Sequence, residues 1–479
     1  MNMTIFIVFV ICLSCVSLSL GTETCPPLTT IKPPDDIQKS LFYPSNWNDD
    51  LPTPNFAAGQ KCSFKVIVPN RMFAQVFLTV SVDSTSSFTV TDSANYTTQI
   101  TSAKKELFFW MDPSATLSLQ ANHVAVFGMK ITWNTIGPVV PQIRTVHAKS
   151  PPLALNAMSS TNPIVVKSDT HVSFLPIPQN YNYLDPILRS VQVYDGPTID
   201  STHLGTLYQA IASNNSLVSS GKYLTFYSLS WYYSVRNIVI LQDYSDIQNY
   251  ASYQAFTCHN SCGVSLDASK GTAAVLLFNS LSFVNQLSMS DNNSTLSVYT
   301  NSISDDNKLS DYSYSNSQTN IPQKFVGNYT IFVLDKGQAN LSLKTYTPNN
   351  AWWSYVFYGQ RGFFASPNFG TSDSDQNLCD AVSINGKHPA KITYTVDRSA
   401  IVGPAVLTVS IGGNITIYDV TNLPGPDPIS AIGMSIAVNY ESNGVISTGA
   451  FVSFEFQKSA TSNGILFTIV LTICMAIFF

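Results

Sequence analysis

Hydrophobic and polar residues alternate through much of the chain. In the segments that begin at Cys62, Val76 and Ala405, every second residue is apolar. Because successive side chains of a strand point to opposite faces, this pattern places one face in a core and the other in water. The run Ile238–Leu241 is apolar throughout and predicts a strand covered on both faces. Strand-favouring residues dominate, with Gly, Pro, Asn and Asp between them. The pattern predicts an all-β chain of sandwiches.

One strand pattern recurs along the chain, in which apolar and other residues alternate and a turn follows. It begins at Phe88, Val191, Leu296 and Ile415, and the equivalent turn positions Asp92, Asp195, Thr300 and Asp419 are 103, 105 and 119 residues apart. Each step is about one sandwich domain. Proline-rich stretches at 137–141 and 150–152 predict a stiff linker after the first repeat. We therefore expect four tandem domains, over residues 22–137, 145–258, 262–346 and 352–457.

Charge is scarce in this sequence. Only 11% of the 479 residues are Asp, Glu, Lys or Arg, and the formal net charge is −5. Because about 25% is usual, Ser, Thr, Asn, Gln and Tyr must cover the solvated faces. The chain has no basic stripe, which argues against a nucleic-acid partner.

Both ends have the composition of processing signals. Residues 1–20 contain an apolar run followed by small residues, which is typical of a signal peptide. Near the other end, Ile465–Phe479 is a run of fifteen residues without charge, shorter than the ~20 residues of a spanning helix. Small residues at 459–462 precede it, as in a glycosylphosphatidylinositol (GPI) signal, although the polar spacer is short. We assign residues 459–479 to this signal, with Ser459 as the candidate attachment residue and the exact position left open. The alternative is a short single-pass anchor.

Secretion changes the interpretation of the cysteines and asparagines. Five cysteines remain between the two end segments, and in an oxidising compartment an odd number leaves one free or bonded to another chain. N-glycosylation sequons mark surface positions in a secreted chain. The seven sequons begin at Asn95, Asn214, Asn292, Asn293, Asn328, Asn340 and Asn414. Because Asn292 and Asn293 are adjacent, we expect crowding to allow one glycan there.

Three repeats carry motifs of a known family. In the second repeat, Val191-Gln-Val-Tyr-Asp-Gly-Pro, His203-Leu-Gly-Thr-Leu and Ser219-Ser-Gly-Lys-Tyr resemble the core signature of CUB domains. In the fourth, Gly362-Phe-Phe-Ala-Ser-Pro-Asn-Phe-Gly resembles their opening segment. The first repeat, with Cys25, Tyr43-Pro-Ser-Asn-Trp and Cys62, resembles the CUB-like proteins expanded in nematodes. The third is a degenerate copy.

The resemblance implies tandem CUB-like jelly-roll β-sandwiches that act as recognition modules without enzymatic activity or cofactor. The nematode proteins are associated with responses to bacteria and with membrane rafts. We therefore expect a surface protein of innate immune defence that binds an extracellular protein or glycan, including microbial ones, and is held on the membrane by lipid. The alternative is a structural glycoprotein coat without a specific ligand.

Many CUB domains bind calcium, and the family places an acidic ligand six residues before the turn aspartate. The corresponding positions in this chain are Ser86, Arg189, Ser294 and Gly413. None is a carboxylate, whereas calcium sites need charged oxygen ligands. We therefore expect no metal site, and we interpret Asp92, Asp195 and Asp419 as turn-forming residues.

No catalytic residue is predicted. The histidines lack metal-ligand spacing, and the motifs H-E-x-x-H and G-x-S-x-G are absent. The six histidines are His123, His147, His171, His203, His259 and His388. Large aromatic residues of sandwiches usually fill the core, and adjacent residues of a strand face opposite sides. Among the aromatic clusters, Trp352 and Trp353 are the candidates for an exposed pair that is available for binding.

The resemblance also directs the pairing of cysteines. In the first repeat we expect a Cys25–Cys62 bond, with Cys62 directly before a strand. Cys379 stands at the same place in the fourth repeat, but the residue 37 positions earlier is Ser342. We therefore expect Cys258 or Cys262 to bond Cys379 across the third repeat. The alternative is a local Cys258–Cys262 bond with Cys379 free.

Overall fold

Strands make up nearly all the regular structure of the chain. A computed structural model describes residues 22–155, 162–177, 186–213, 216–230, 239–345, 353–374 and 376–459. The helices within these ranges are α1 (Leu207–Ser213) and the 3-10 turns Pro186–Ser190, Tyr244–Asp246 and Asp305–Asn307. The predicted all-β fold is thus confirmed. The predicted signal peptide and apolar tail lie outside the described residues, as do Asn214 and Trp352.

The residues up to Val139 form one compact unit. Its strands are β1 (Thr22–Glu23), β2 (Leu28–Ile31), β3 (Leu41–Tyr43), β4 (Asn55–Phe56), β5 (Gln60–Ile67), β6 (Met72–Ser81), β7 (Ser87–Thr91), β8 (Thr97–Ile100), β9 (Ser102–Met111), β10 (Ser114–Ala121) and β11 (Ala125–Thr135). They form the sheets β1-β4-β11-β6-β9, with β3 also on β11, and β2-β5-β10-β7-β8. The sheets enclose one core that includes Phe64, Trp110 and Phe127. We call this pair the first sandwich.

The second unit begins at Val140 and opens with the second sandwich. Its strands are β12 (Gln142–Thr145), β13 (Leu153–Leu155), β14 (Ile164–Lys167), β15 (Val172–Pro176), β16 (Val191–Asp195), β17 (Thr202–Thr206), β18 (Leu217–Val218), β19 (Tyr223–Ser228) and β20 (Val239–Asp243). The sheets are β12-β14-β19-β16-β17 and β13-β20-β15-β18. Strand β20 is buried at every residue, and the burial of Val239–Leu241 agrees with the prediction from the apolar run. Val239 and Leu241 face the core of this sandwich, whereas Ile240 packs with Leu276 and Ile331 of the next.

The third sandwich follows directly. Its strands are β21 (Ser252–Phe256), β22 (Ser261–Asp267), β23 (Ala273–Phe278), β24 (Leu281–Met289), β25 (Thr295–Thr300), β26 (Lys308–Ser313), β27 (Gln323–Val326), β28 (Tyr329–Leu334) and β29 (Gln338–Lys344). They form the sheets β21-β23-β28-β25-β26 and β22-β29-β24-β27. The repeat that is weakest in sequence therefore has the same two-sheet build as its neighbours.

The fourth sandwich completes the described chain. Its strands are β30 (Tyr355–Val356), β31 (Arg361–Ala365), β32 (Leu378–Ile384), β33 (Ala390–Ser399), β34 (Val406–Ile411), β35 (Asn414–Tyr418), β36 (Ile429–Gly433), β37 (Ser435–Glu441) and β38 (Ala450–Lys458). The sheets are β30-β32-β37-β34-β35 and β31-β38-β33-β36. Burial alternates along β34, which confirms the period-two pattern read from the sequence. The domain limits given above stay predictions.

The disulfides follow the local alternative. Cys25 bonds Cys62, as expected, but Cys258 bonds Cys262. Cys379 is the cysteine with a free thiol among the described residues, and it is exposed. The expected long-range bond is therefore wrong. The Cα atoms of Cys258 and Cys262 are 5.8 Å apart, within bridging range. Asn260 between them has a left-handed φ of 64°.

Candidate recognition cleft

The third and fourth sandwiches share their hydrophobic cores. Phe363, Phe369 and Phe451 of the fourth belong to the buried cluster of the third, and Phe283 of the third belongs to the cluster of the fourth. The rings of Phe363 and Phe451 stack with centroids 4.9 Å apart. Phe363 also meets Phe325 edge-on, with ring centroids 5.8 Å apart. Because neither core is complete without the other, these two sandwiches pack as one body.

A buried ion pair crosses the same junction. Lys324 Nζ lies 2.8 Å from Asp380 Oδ2, and their side chains are 14% and 13% exposed. The indole nitrogen of Trp353 donates to the same oxygen at 3.0 Å. Trp353 is only 1% exposed, so its expected exposure was wrong. The acceptor for its indole N–H lies inside the junction, which lets the ring be buried with its polar atom satisfied.

A side-chain amide extends the pairing of β31 into the third sandwich. The Phe363 amide donates to Gln323 Oε1 at 3.2 Å, and Gln323 Nε2 donates back to the Phe363 carbonyl at 3.0 Å. Gln323 is 1% exposed. Two residues earlier, the Arg361 amide donates to the Thr319 carbonyl at 2.9 Å. Strand β31 is an edge strand, and these bonds satisfy amides that its own sheet leaves unpaired.

On the other side of the junction, Arg398 of the fourth sandwich forms hydrogen bonds with the third. The pairing of β33 with β38 shifts register between Val396 and Arg398, as at a β-bulge. The guanidinium donates from Nη1 to the carbonyls of Asp305 (3.0 Å) and Asp306 (3.1 Å), and from Nη2 to that of Lys308 (2.5 Å). These carbonyls lie in and just after a 3-10 turn of the third sandwich. Burial lowers the pKa of Arg398 from an ordinary value so high that the group stays charged at neutral pH.

An open cleft of about 650 Å³ lies along this junction. Strands β31, β33 and β38 contribute Arg361, Thr393, Thr395, Ser453 and Glu455, and β26 with its preceding turn lines the facing side. Seven of its twenty lining residues are charged, compared with 11% of the whole chain. The seven are Asp305, Lys308, Asp311, Arg361, Asp397, Arg398 and Glu455. The fraction of charged residues is thus higher in the cleft than in the chain as a whole, which makes the cleft the candidate site.

Four of the seven charged groups of the cleft form two ion pairs that are partly open to solvent. Arg361 Nη2 lies 3.3 Å from Glu455 Oε1, with side chains 62% and 27% exposed. Lys308 Nζ lies 2.7 Å from Asp311 Oδ2, and this hydrogen bond raises the pKa of Lys308. Exposed pairs contribute only about 0–1 kcal/mol each. A ligand can therefore replace one partner at low cost, so the cleft suits a polar ligand that offers both donors and acceptors.

The positions equivalent to the calcium ligands of the family lie inside the sandwiches or at a turn. Ser86, Arg189 and Ser294 are buried. The Arg189 guanidinium lies 3.9 Å from the ring centroid of Tyr208. Gly413 occupies the β34–β35 turn with a φ of 91°. Within the described ranges, no group of three or more His, Cys, Asp and Glu could hold a metal.

Two of the turn aspartates, Asp92 and Asp419, accept backbone hydrogen bonds within their own turns, as expected of turn formers, whereas Asp195 accepts from a distant turn. Asp92 accepts from the amide of Tyr96 at 3.0 Å. Asp195 accepts from the amide of Ser220 at 2.9 Å. Asp419 accepts from the amide of Thr421 at 2.8 Å.

The predicted modification sites differ in exposure. The described sequon asparagines, Asn95, Asn292, Asn293, Asn328, Asn340 and Asn414, are all exposed. Whether they carry glycans stays a prediction. Ser459, assigned to the lipid anchor, is 5% exposed directly after β38, so attachment there requires the end of the strand to open. None of the described helices is long and apolar enough to cross a membrane.

Sequence reasoning did not find the cleft. It rests on Gln323 of the third repeat and on Arg361 and Arg398 of the fourth, which belong to no motif. The available signal was the scarcity of charge, because Asp305-Asp306 and Asp397-Arg398 are adjacent charged residues in a chain that has few. That signal marks the segments, but not the packing that brings them together.

Comparison with known families identifies the first sandwich. Residues 22–137 match the family model of the CUB-like domain. Residues 145–229 and 245–346 match models of two domains of unknown function, DUF7592 and DUF7591. The second repeat, whose motifs resemble the CUB core signature, thus matches a different family model. A comparison with curated proteins finds none that matches this chain.

Solved structures with partial similarity include CUB proteins. The CUB1-EGF-CUB2 domains of rat MASP-1 are 10% identical, and the match covers 42% of this chain and 99% of that chain at a TM-score of 0.17. The same region of human MASP-1/3 is 10% identical over 41% of this chain and 100% of that chain, at a TM-score of 0.19. The extracellular region of zebrafish Gpr126/Adgrg6 is 9% identical over 69% of this chain and 54% of that chain, also at 0.19. Scores this low carry no argument about function.

The class of the protein follows from the strands and the family match. It is a β-sandwich protein whose matched domain is of a class that suggests an extracellular recognition or adhesion module. More particularly, it contains a CUB-like domain over residues 22–137.

The junction can be tested at a glycine. Gly327 has a φ of +126°, and a Cβ there would collide with the Pro367 carbonyl oxygen of the fourth sandwich. Gly413 is the matched control, with a φ of +91° and no atom within 4 Å of an added Cβ. We expect Gly327→Ala to lower the free energy of unfolding by about 1–3 kcal/mol more than Gly413→Ala, as is typical of overpacking. Chemical denaturation measures both, and equal losses would contradict a close-packed junction.

Proposed function

We propose that this chain is a non-enzymatic surface protein that binds an extracellular protein or glycan in the cleft between its third and fourth sandwiches. The observation that carries the proposal is the concentration of charge, seven of twenty lining residues in a chain that is 11% charged. Polar groups at positions fixed by the shared core give a ligand specific partners at little cost in ordering. A role in innate defence against bacteria is the biological setting that we propose for this binding.

The binding proposal predicts that reversing the charge of Arg361 lowers the affinity for the ligand. Arg361 is exposed and lines the cleft beside its partner Glu455. We expect Arg361→Glu to weaken binding roughly tenfold or more, because arginines at the centre of an interface often contribute about 2 kcal/mol. Cells that display the full chain would be titrated with labelled bacteria and with solubilised bacterial surface fractions, with surface expression measured in parallel.

The matched control is Arg144→Glu, the same charge change on the exposed face of β12 in the second sandwich. This variant is expected to bind like the wild type. If Arg361→Glu leaves saturable binding unchanged, the ligand binds outside the cleft. Only unsaturable binding, equal in all variants, would favour a glycoprotein coat without a specific ligand.

We further propose that a GPI lipid holds the protein on the cell surface. The support is the fifteen-residue apolar run at 465–479, which is short for a helical span and follows small residues. Phosphatidylinositol-specific phospholipase C should release the protein from intact cells, because it cleaves the lipid from the protein. Retention under conditions that release a known GPI protein would favour the single-pass anchor.

A further inference from the structure

The described chain ends close to its predicted membrane attachment. Strand β38 ends at Lys458, and only residues 460–464 separate Ser459 from the apolar run. An extended chain advances at most about 3.5 Å per residue, so this end of the fourth sandwich lies within roughly 20 Å of the run. The same end is close to the bilayer whether the run stays as an anchor or is exchanged for a lipid at Ser459.

Strand register shows what else lies at this end. Lys458 pairs with Ala390, and Ala390 pairs with Gly433 on its other side. The Gly433 backbone packs on Gly412, in the turn between β34 and β35. The chain then crosses to the second sheet, where the Ile384 amide donates to the Met434 carbonyl at 2.8 Å. Segments 356–360, 384–391, 411–415, 432–436 and 456–459 thus meet at one end of the sandwich, which we call the terminal face.

Large apolar side chains are exposed on the terminal face. Ile415 is 65% exposed, Ile432 52%, Phe357 44% and Met434 39%. Phe357 is held beside this end because the Gly359 amide donates to the Phe456 carbonyl at 2.6 Å. These four residues lie around one end of the sandwich, and exposed apolar side chains of this size favour a partner.

The charges on the terminal face have one sign. It carries Lys387, Lys391 and Lys458, all exposed, together with His388. None of its five segments contains Asp or Glu, although acidic residues outnumber basic ones in the chain, 29 to 24. Lysines beside exposed apolar side chains are the composition of surfaces that lie in a membrane interface.

We propose that the terminal face lies on the outer leaflet of the membrane that anchors the chain. The lysines contact headgroup phosphates, and Phe357, Ile415, Ile432 and Met434 enter the interface. Asn414, a predicted glycosylation site, alternates with Ile415 along β35, so a glycan there begins on the other side of the strand and leaves Ile415 open. Such contact would fix the orientation of the fourth sandwich and with it the recognition cleft. The inference rests on the proposed anchoring.

Site-specific quenching tests the proposal. The full chain would be made in animal cells with Cys379→Ser, and a fluorophore would be placed on Met434→Cys. The matched control is Leu423→Cys, 62% exposed in the loop at the opposite end of β35. After reconstitution into phosphatidylcholine vesicles containing some phosphatidylserine, nitroxide lipids should quench the probe at 434, and aqueous iodide should quench it several-fold less than the probe at 423.

A second probe position, a charge-reversal variant and a flotation control distinguish failure of membrane contact from failure of the anchor. Phe357→Cys provides a second probe with the same expected pattern. Combining Lys387→Glu, Lys391→Glu and Lys458→Glu with the probe at 434 should restore iodide quenching. If the protein floats with the vesicles but iodide reaches 434 and 423 equally, the terminal face does not contact lipid and the proposal is overturned. A protein that does not float with the vesicles lacks the anchor, and both the anchoring proposal and this inference then fall.

Discussion

The sheet β31-β38-β33-β36 has phenylalanines on both of its faces, and both faces must therefore be covered. Phe364 and Phe454 pack inside the fourth sandwich, whereas Phe363 and Phe451 point out of it. An isolated fourth sandwich would expose these outward rings to water at a cost of about 1.5–3 kcal/mol each. The third sandwich covers them. The junction, the cleft beside it and the fixed position of its charges all depend on this one burial.

When the third sandwich covers the outward face of this sheet, polar groups of the two sandwiches come within hydrogen-bonding distance of each other. Arg398 reaches the carbonyls of the third sandwich, and Gln323 pairs with the free edge of β31. The part of the sheet beyond the phenylalanines stays open, and there the strands present Arg361 and Glu455. Scarce charge is thus concentrated where a rigid frame can hold it, which is the usual requirement for specific binding of polar ligands. The same sandwich presents its terminal face at the end where the chain continues toward the apolar run.

The sequence predicts the strands well because period-two burial is a local property. Strands β5, β6 and β34 follow the alternation read from the sequence, and the apolar run at β20 is covered on both faces. Junctions are harder to predict, because a residue such as Gln323 gains its role only from a partner far along the chain. Trp353 and Cys379 were assigned wrongly for this reason. The Trp353 indole finds its acceptor on Asp380, 27 residues further along the chain, and a thiol equivalent in sequence to Cys62 has no sulfur within reach.

Hydrogen exchange at residue resolution tests the central claim, that the third and fourth sandwiches form one rigid body. The amides of Arg361 and Phe363 lie on the free edge of β31 and donate only across the junction, to Thr319 and Gln323. If the shared core is stable, these two amides should exchange as slowly as amides in the central strands of the same sheet, because both then open only with the core. Exchange at the rate of exposed loop amides would show that the sandwiches separate, and the account of the cleft would be contradicted.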